Sequence, residues 1–212
     1  ISSYAPEGGA AHASDIEIVG DLAYVILQPS DANWNFINSQ VLQVNLTTLE
    51  IVAALELSYK QCGSIAQSQG SMIASCVGTS KWNDDWTVET SDENGAIVSI
   101  DFTAKKVESL KSEKELNGKP SGSVFSSENY LFTVRESISA KPLNALTIDG
   151  STMVAIPGIV SGDGGFAYAS ESNIILAGDR EASKSAVKVI VDNKVVKTLG
   201  SDKLAPSSIA VF

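Results

Sequence analysis

The reactive side chains of this sequence are few, and their spacing limits the chemistry. There is one histidine, His12, and there are two cysteines, Cys62 and Cys76. A Ser-His-Asp triad or a histidine-rich metal centre would have to use His12, which lies in an Ala-rich stretch with no recognisable partner. The cysteine spacing supplies half of a zinc set and no second ligand pair. It does suit a disulfide. With Ser68-Gln69-Gly70 as a three-residue hairpin loop and Gly70 at its left-handed position, Gln67 faces Ser71, Ile65 faces Ile73, and Cys62 faces Cys76. A bridge between directly opposite cysteines is feasible when their Cα atoms lie ~5.5 Å apart. Such a bridge implies an oxidising compartment: periplasm, cell surface or medium.

The side chains suited to recognition fall together. All three tryptophans, Trp34, Trp82 and Trp86, and both arginines, Arg135 and Arg180, lie in the polar segments 28–39, 78–95, 135–142 and 179–185. Trp and Arg are the residues most enriched at binding hot spots, and loops on a rigid scaffold are where binding sites concentrate. With Asp84 and Asp85 they form the expected binding set: Trp34, Trp82, Asp84, Asp85, Trp86, Arg135 and Arg180. The competing reading is that the indoles pin long loops to their own sheets. Asp84, Asp85, Glu89, Asp92 and Glu93 make an acidic patch that reads as a solvated loop; the alternative is a hard-cation site, for which oxygen ligands are plentiful but their spacing irregular. The run Ser161-Gly162-Asp163-Gly164-Gly165 precedes no helix, so it is a linker and not a phosphate loop. Asn45-Leu46-Thr47 matches a glycosylation acceptor, but a turn explains it equally well. No metal and no cofactor is expected.

The elements that must carry these residues are strands. Five- and six-residue β-branched and aromatic runs, bounded by Gly, Asn, Asp and Ser, recur in a fixed order of four. The first set is Asp15–Val19, Leu22–Leu27, Gln40–Asn45 and Ile51–Leu57; the second is Ser64–Gln67, Ser71–Val77, Ala96–Asp101 and Lys106–Leu110. The third is Ser123–Ser126, Tyr130–Val134, Leu143–Asp149 and Thr152–Ile156; the fourth is Gly165–Ala169, Ile174–Gly178, Ala186–Asp192 and Lys194–Leu199. The corner between the third and fourth strands repeats most clearly, as Val44-Asn45-Leu46-Thr47-Thr48-Leu49-Glu50-Ile51 and Ile100-Asp101-Phe102-Thr103-Ala104-Lys105-Lys106-Val107. An Asn or Asp there can accept bonds from backbone N–H groups two residues on. A four-strand unit of about 40–50 residues is the mark of a β-propeller blade.

The sequence resembles the YVTN-type propellers, a group related to surface-layer proteins and to the heavy subunit of quinoprotein amine dehydrogenases. The resemblance rests on Leu22-Ala23-Tyr24-Val25, Val44-Asn45-Leu46-Thr47-Thr48 and Ala205-Pro206-Ser207-Ser208-Ile209-Ala210-Val211. Met72-Ile73-Ala74-Ser75 and Ile174-Ile175-Leu176-Ala177 depart from it in lacking the aromatic. It implies an all-β propeller of four-stranded meander blades and no particular activity. Four blades are expected, at about 15–57, 62–110, 122–156 and 165–199, after a lead-in at 1–14. Residues 207–212 read as the first strand of a fifth blade, so the chain reads as a fragment of a larger propeller, completed by remaining blades or a second chain. Strand content of roughly 40–50% is expected, above the globular average.

Composition excludes other classes. The 212 residues carry a net charge of −10, which disfavours nucleic acid, and 43% are hydrophobic, enough for a core. No run is long and apolar enough for a membrane span. The functional expectation is an extracytoplasmic (periplasmic, cell-surface or secreted) binding or scaffold module. It would present the loops between second and third strands, on one face, to a protein or glycan. The alternatives are a hydrolase or lyase with an axial site completed by missing blades, and a structural surface-layer or appendage subunit.

Overall fold

The computed structural model describes residues 2–68, 70–82, 88–91, 93–125, 128–135, 141–162, 165–180, 185–200 and 209. Strands hold 64% of the described residues and helical turns 4%. The strand share exceeds the expectation because strands run past their apolar cores into small and polar residues. β1 (Ala10–Val19) shows this: Ala10–Ser14, read in the sequence as lead-in, is already paired with β2 (Leu22–Ser30). His12 sits in this extension, exposed and opposite Gln28.

Two compact units divide the chain, residues 1–121 and 122–212. In the first unit β1, β2, β3 (Asn38–Asn45) and β4 (Ile51–Lys60) form one antiparallel meander. The second sheet is built from β5 (Cys62–Ser68), β6 (Ser71–Cys76), β9 (Ala96–Asp101) and β10 (Lys106–Ser112). Between β6 and β9 the chain makes a small hairpin, β7 (Ser80–Trp82) with β8 (Val88–Ser91). A one-turn helix, α1 (Glu113–Leu116), ends this sheet, capped by reciprocal bonds between Ser112 and Glu115. The third sheet orders β11 (Lys119–Phe125), β12 (Asn129–Arg135), β13 (Leu143–Thr147) and β14 (Met153–Ala155). The fourth orders β15 (Phe166–Ala169), β16 (Ile174–Asp179), β17 (Ala186–Val191) and β18 (Lys194–Gly200). Each sheet is the sequential four-stranded unit that the repeats predict. Of the expected fifth-blade strand 207–212, only Ile209 is described, and it lies outside any strand.

Alternation along the strands fixes which face is buried. In the first unit Ile26, Val41 and Leu57 meet Ile65, Met72, Ala74, Val98 and Ile100 in one core between the two sheets. In the second unit Leu131, Leu143, Ala145 and Ile159 meet Ile175, Ala177 and Ile190. The opposite face of the first sheet is also apolar, in the cross-strand rows Ile16–Val25–Leu42 and Ile18–Ala23–Val44–Ile51. Leu42 is buried there, whereas Ile16 and Ile18 are 53% and 61% exposed.

The repeated corners are built alike. Asn45 Oδ1 accepts from the N–H groups of Thr47 and Thr48, both at 2.9 Å. Asp101 Oδ1 accepts from Thr103 at 2.8 Å and Ala104 at 2.9 Å. Four residues after each, Leu49 and Lys105 take a left-handed conformation, with φ of 59° and 52°. In the fourth sheet the turn shortens to Asp192-Asn193, both left-handed, as a two-residue hairpin turn requires.

The Cys62–Cys76 disulfide is formed, with both residues fully buried and Cα atoms 3.7 Å apart. The cysteines face each other as expected, but the hairpin around them is one residue out of the expected register. Ser68 pairs with Ser71 and Ile65 with Ala74, leaving two residues in the turn and not three. A bulge between Cys62 and Ser64 absorbs the difference and restores the cysteine pair.

Candidate functional site

The loops expected to carry function emerge where strands β2, β6, β12 and β16 end, together with the links that lead from one sheet to the next. Backbone bonds join the two sets. Val77 and Gly78 donate to the carbonyls of Gln61 and Lys60, in the link from the first sheet. Glu113, in the link after the second, donates to Gly95 at 2.6 Å, and Gly95 donates back to Glu113 Oε2 at 3.1 Å. In the second unit Arg180 donates to Ser161 at 2.7 Å, and Ser161 donates to Asp179 Oδ1 at 3.0 Å.

The base of the β7–β8 hairpin is held by a charge inside the protein. Lys119 is 5% exposed. Its Nζ donates to the carbonyls of Val77 (3.0 Å) and Thr79 (3.4 Å) and to Glu113 Oε2 (3.1 Å). Gly95, after the hairpin, bonds the same Glu113 carboxylate, so both stems of the loop meet one buried ion pair. Sequence reading missed this pair, because a lysine and a glutamate six residues apart carry no sign that the Val77 and Thr79 carbonyls converge on them.

After β2 ends at Ser30, Asp31 knots the chain. Its Oδ1 accepts from the backbone N–H groups of Asn33 (2.8 Å) and Asn35 (2.9 Å) and from Asn35 Nδ2 (3.3 Å); its Oδ2 accepts from Asn35 Nδ2 at 3.0 Å. These bonds, the Asn35 side chain first, hold the Asp31 carboxyl below the ordinary aspartate range. Trp34 sits inside the knot with φ of 65°, and the residue is 74% exposed. A left-handed conformation at a bulky residue costs about 1–3 kcal/mol and persists only where surrounding bonds impose it. Beside it lies a cleft of about 170 Å³, lined by Gly8, Gly9, Ala10, Ser30, Asp31, Ala32 and Trp34. Its wall is the turn in which Gly9 donates to Pro6. A Cβ on Gly9 would run into the Ser30 carbonyl oxygen, so the two segments can touch only because that residue is glycine. Ser30 Oγ is buried there with no hydrogen-bond partner among the described residues.

The other expected binding residues are placed as follows. Trp82 ends β7, opposite Val88. Asp84, Asp85 and Trp86 lie outside the described residues. Arg135 is the last residue of β12, partly exposed, and Arg180 follows β16, exposed. Asn45, the glycosylation candidate, is engaged in its turn through Oδ1. Among the described residues no three His, Cys, Asp or Glu side chains gather as a metal site, and no helix is long and apolar enough to cross a membrane.

No family model and no curated protein matches the sequence. Solved structures do match in fold. Hydrazine synthase from Kuenenia stuttgartiensis aligns over 94% of this chain and 65% of its own, with TM-score 0.60 and 15% identity. TolB from Acinetobacter baumannii aligns over 94% and 53%, with TM-score 0.52 and 13% identity. The β-propeller domain of the trilobed protease from Pyrococcus furiosus aligns over 91% and 57%, with TM-score 0.51 and 11% identity. The chain thus spans 53–65% of the length of these three structures. With its four four-stranded meanders, its fold is that of a β-propeller.

Proposed function

We propose that this β-propeller is an extracytoplasmic binding module, presenting the loops after β2, β6, β12 and β16 to a protein or glycan partner. The observation that carries the reading is Trp34. A structural indole would be buried, yet this one is held in a strained conformation by the Asp31 knot and left 74% exposed. Large flat side chains with a single N–H, fixed in advance, are what recognition surfaces use. Trp82, Asp84, Asp85, Trp86, Arg135 and Arg180 extend the same set of loops. The buried disulfide supports a site outside the cytoplasm.

The test is binding to a panel of glycans and extracellular proteins by the wild type, Trp34→Ala and Trp82→Ala/Trp86→Ala. The variants are expected to keep the melting temperature and lose the partner. Unfolding of the Trp82→Ala/Trp86→Ala protein would make those indoles structural, and unchanged binding in all variants would remove the loops from the function.

A further inference from the structure

We infer that the cleft beside Trp34 is a subsite for one neutral sugar ring, with the indole as stacking platform and Asp31 as its polar edge. The inference rests on the binding role of the Trp34 loop and assigns that loop's ligand chemistry. Three observations carry it. First, the exposed Trp34 lines a cleft whose volume, about 170 Å³, equals roughly six water molecules. That is room for a single hexose ring, and Gly8 and Gly9 keep the wall free of side chains. Second, the polar group suits hydroxyls. Among the described residues Asp31 Oδ2 accepts one bond, from Asn35 Nδ2, and keeps acceptor capacity for a ligand O–H. Third, charge selects against acids. No lining residue is cationic, and the chain carries a net charge of −10.

A cationic peptide is the competing ligand, since an indole beside a carboxylate also attracts ammonium groups. It fits less well. Three of the four bonds to the Asp31 carboxylate converge on Oδ1, from Asn33 and Asn35 N–H groups, and they already draw on its negative charge. The indole face accepts the apolar C–H face of a pyranose, while Asp31 addresses its hydroxyl rim.

The probes are the methyl glycosides of glucose, galactose and mannose, and hexalysine as the cationic control, measured by saturation-transfer NMR and titration. At least one glycoside is expected to bind the wild-type chain with Kd on the order of 1 mM, the range for a ligand of a dozen heavy atoms. Trp34→Ala should weaken it by about tenfold or more and Trp34→Phe by less. Circular dichroism of each variant establishes that the fold is retained, and Trp34→Phe carries the test if Trp34→Ala does not fold. No glycoside binding, or glycoside binding indifferent to Trp34, overturns the inference. Hexalysine or protein binding that depends on Trp34, without glycoside binding, overturns the sugar subsite while leaving the loop's recognition role standing.

Discussion

At the scale of single residues, the protein is most sensitive where a side chain or its absence sets a close approach. Gly9 is such a place. Gly9→Ala would force its Cβ against the Ser30 carbonyl, and the expected loss is about 1–3 kcal/mol, the range for overpacking. A lowered denaturation midpoint with an unchanged m-value checks it. Glu17 is a second. Its carboxyl is pushed above the ordinary glutamate value, first by burial and also by Asp15, while the bond it accepts from Gln67 N–H opposes the shift. A carboxyl whose folded pKa is raised leaves the protein most stable below the unfolded value of 4.5, and stability falls as pH rises through the folded pKa. Glu17→Gln keeps an acceptor for Gln67 and removes the charge. It should therefore be as stable as wild type at pH ~4 and more stable at pH ~7, read by thermal melts at both. Asp149 runs the other way, lowered to about 2 by Thr147 Oγ1 and then by the Ser151 N–H; its stabilising bonds persist until pH falls through that value. Little of this was legible in the sequence. The Asn and Asp of the corners announced their own turns, because those bonds are local. The left-handed Trp34 did not, because its conformation comes from Asp31 reaching past it to Asn35.

At the scale of elements, the sequence told most about strands and least about what joins them. Short apolar runs bounded by turn residues located all sixteen meander strands, since each must bury one face or both. It told less about their ends: Ala10–Ser14 is small, polar and largely exposed, so no alternation marks it. The β5–β6 hairpin shows how a correct pairing can come from a wrong register. The turn was read one residue too long, the Gly63 bulge was invisible, and the two errors cancel at the cysteines. Replacing both cysteines with Ala should lower stability by about 3 kcal/mol, the loop-closure value for a separation of this size, measured by denaturant melts. The ion pair below the β7–β8 hairpin is a separate tie. Lys119→Met removes the buried Lys119–Glu113 pair and should cost about 3–5 kcal/mol; adding Glu113→Gln should recover much of that, which a double-mutant cycle reads.

At the scale of the whole molecule, periodicity revealed the architecture because every sheet repeats one topology, and it says nothing of function because loops do not repeat. The Trp and Arg placement marked where to look; the cleft at Gly8, Gly9 and Ser30 joins segments about twenty residues apart and had no local sign. The outer face of the first sheet has its own consequence. Ile16 extends an apolar row that is buried further along at Leu42, and Ile18 heads the row beside it. Contiguous exposed apolar surface drives association. The chain should self-associate with rising concentration, and Ile16→Lys/Ile18→Lys should shift sedimentation toward the single-chain value without lowering the melting temperature.

The edge of β5 offers a last consequence. Ile65 N–H donates to Asp15 Oδ2 at 3.0 Å and Gln67 N–H to Glu17 Oε1 at 3.3 Å, so two groups on a sheet margin are closed by side chains of the neighbouring sheet. Both bonds are lost together when β1 and β5 part, and the Ile65 amide is the more sheltered of the two. Its exchange rate is thus a clock for the breathing of one blade against the next, readable without touching either core.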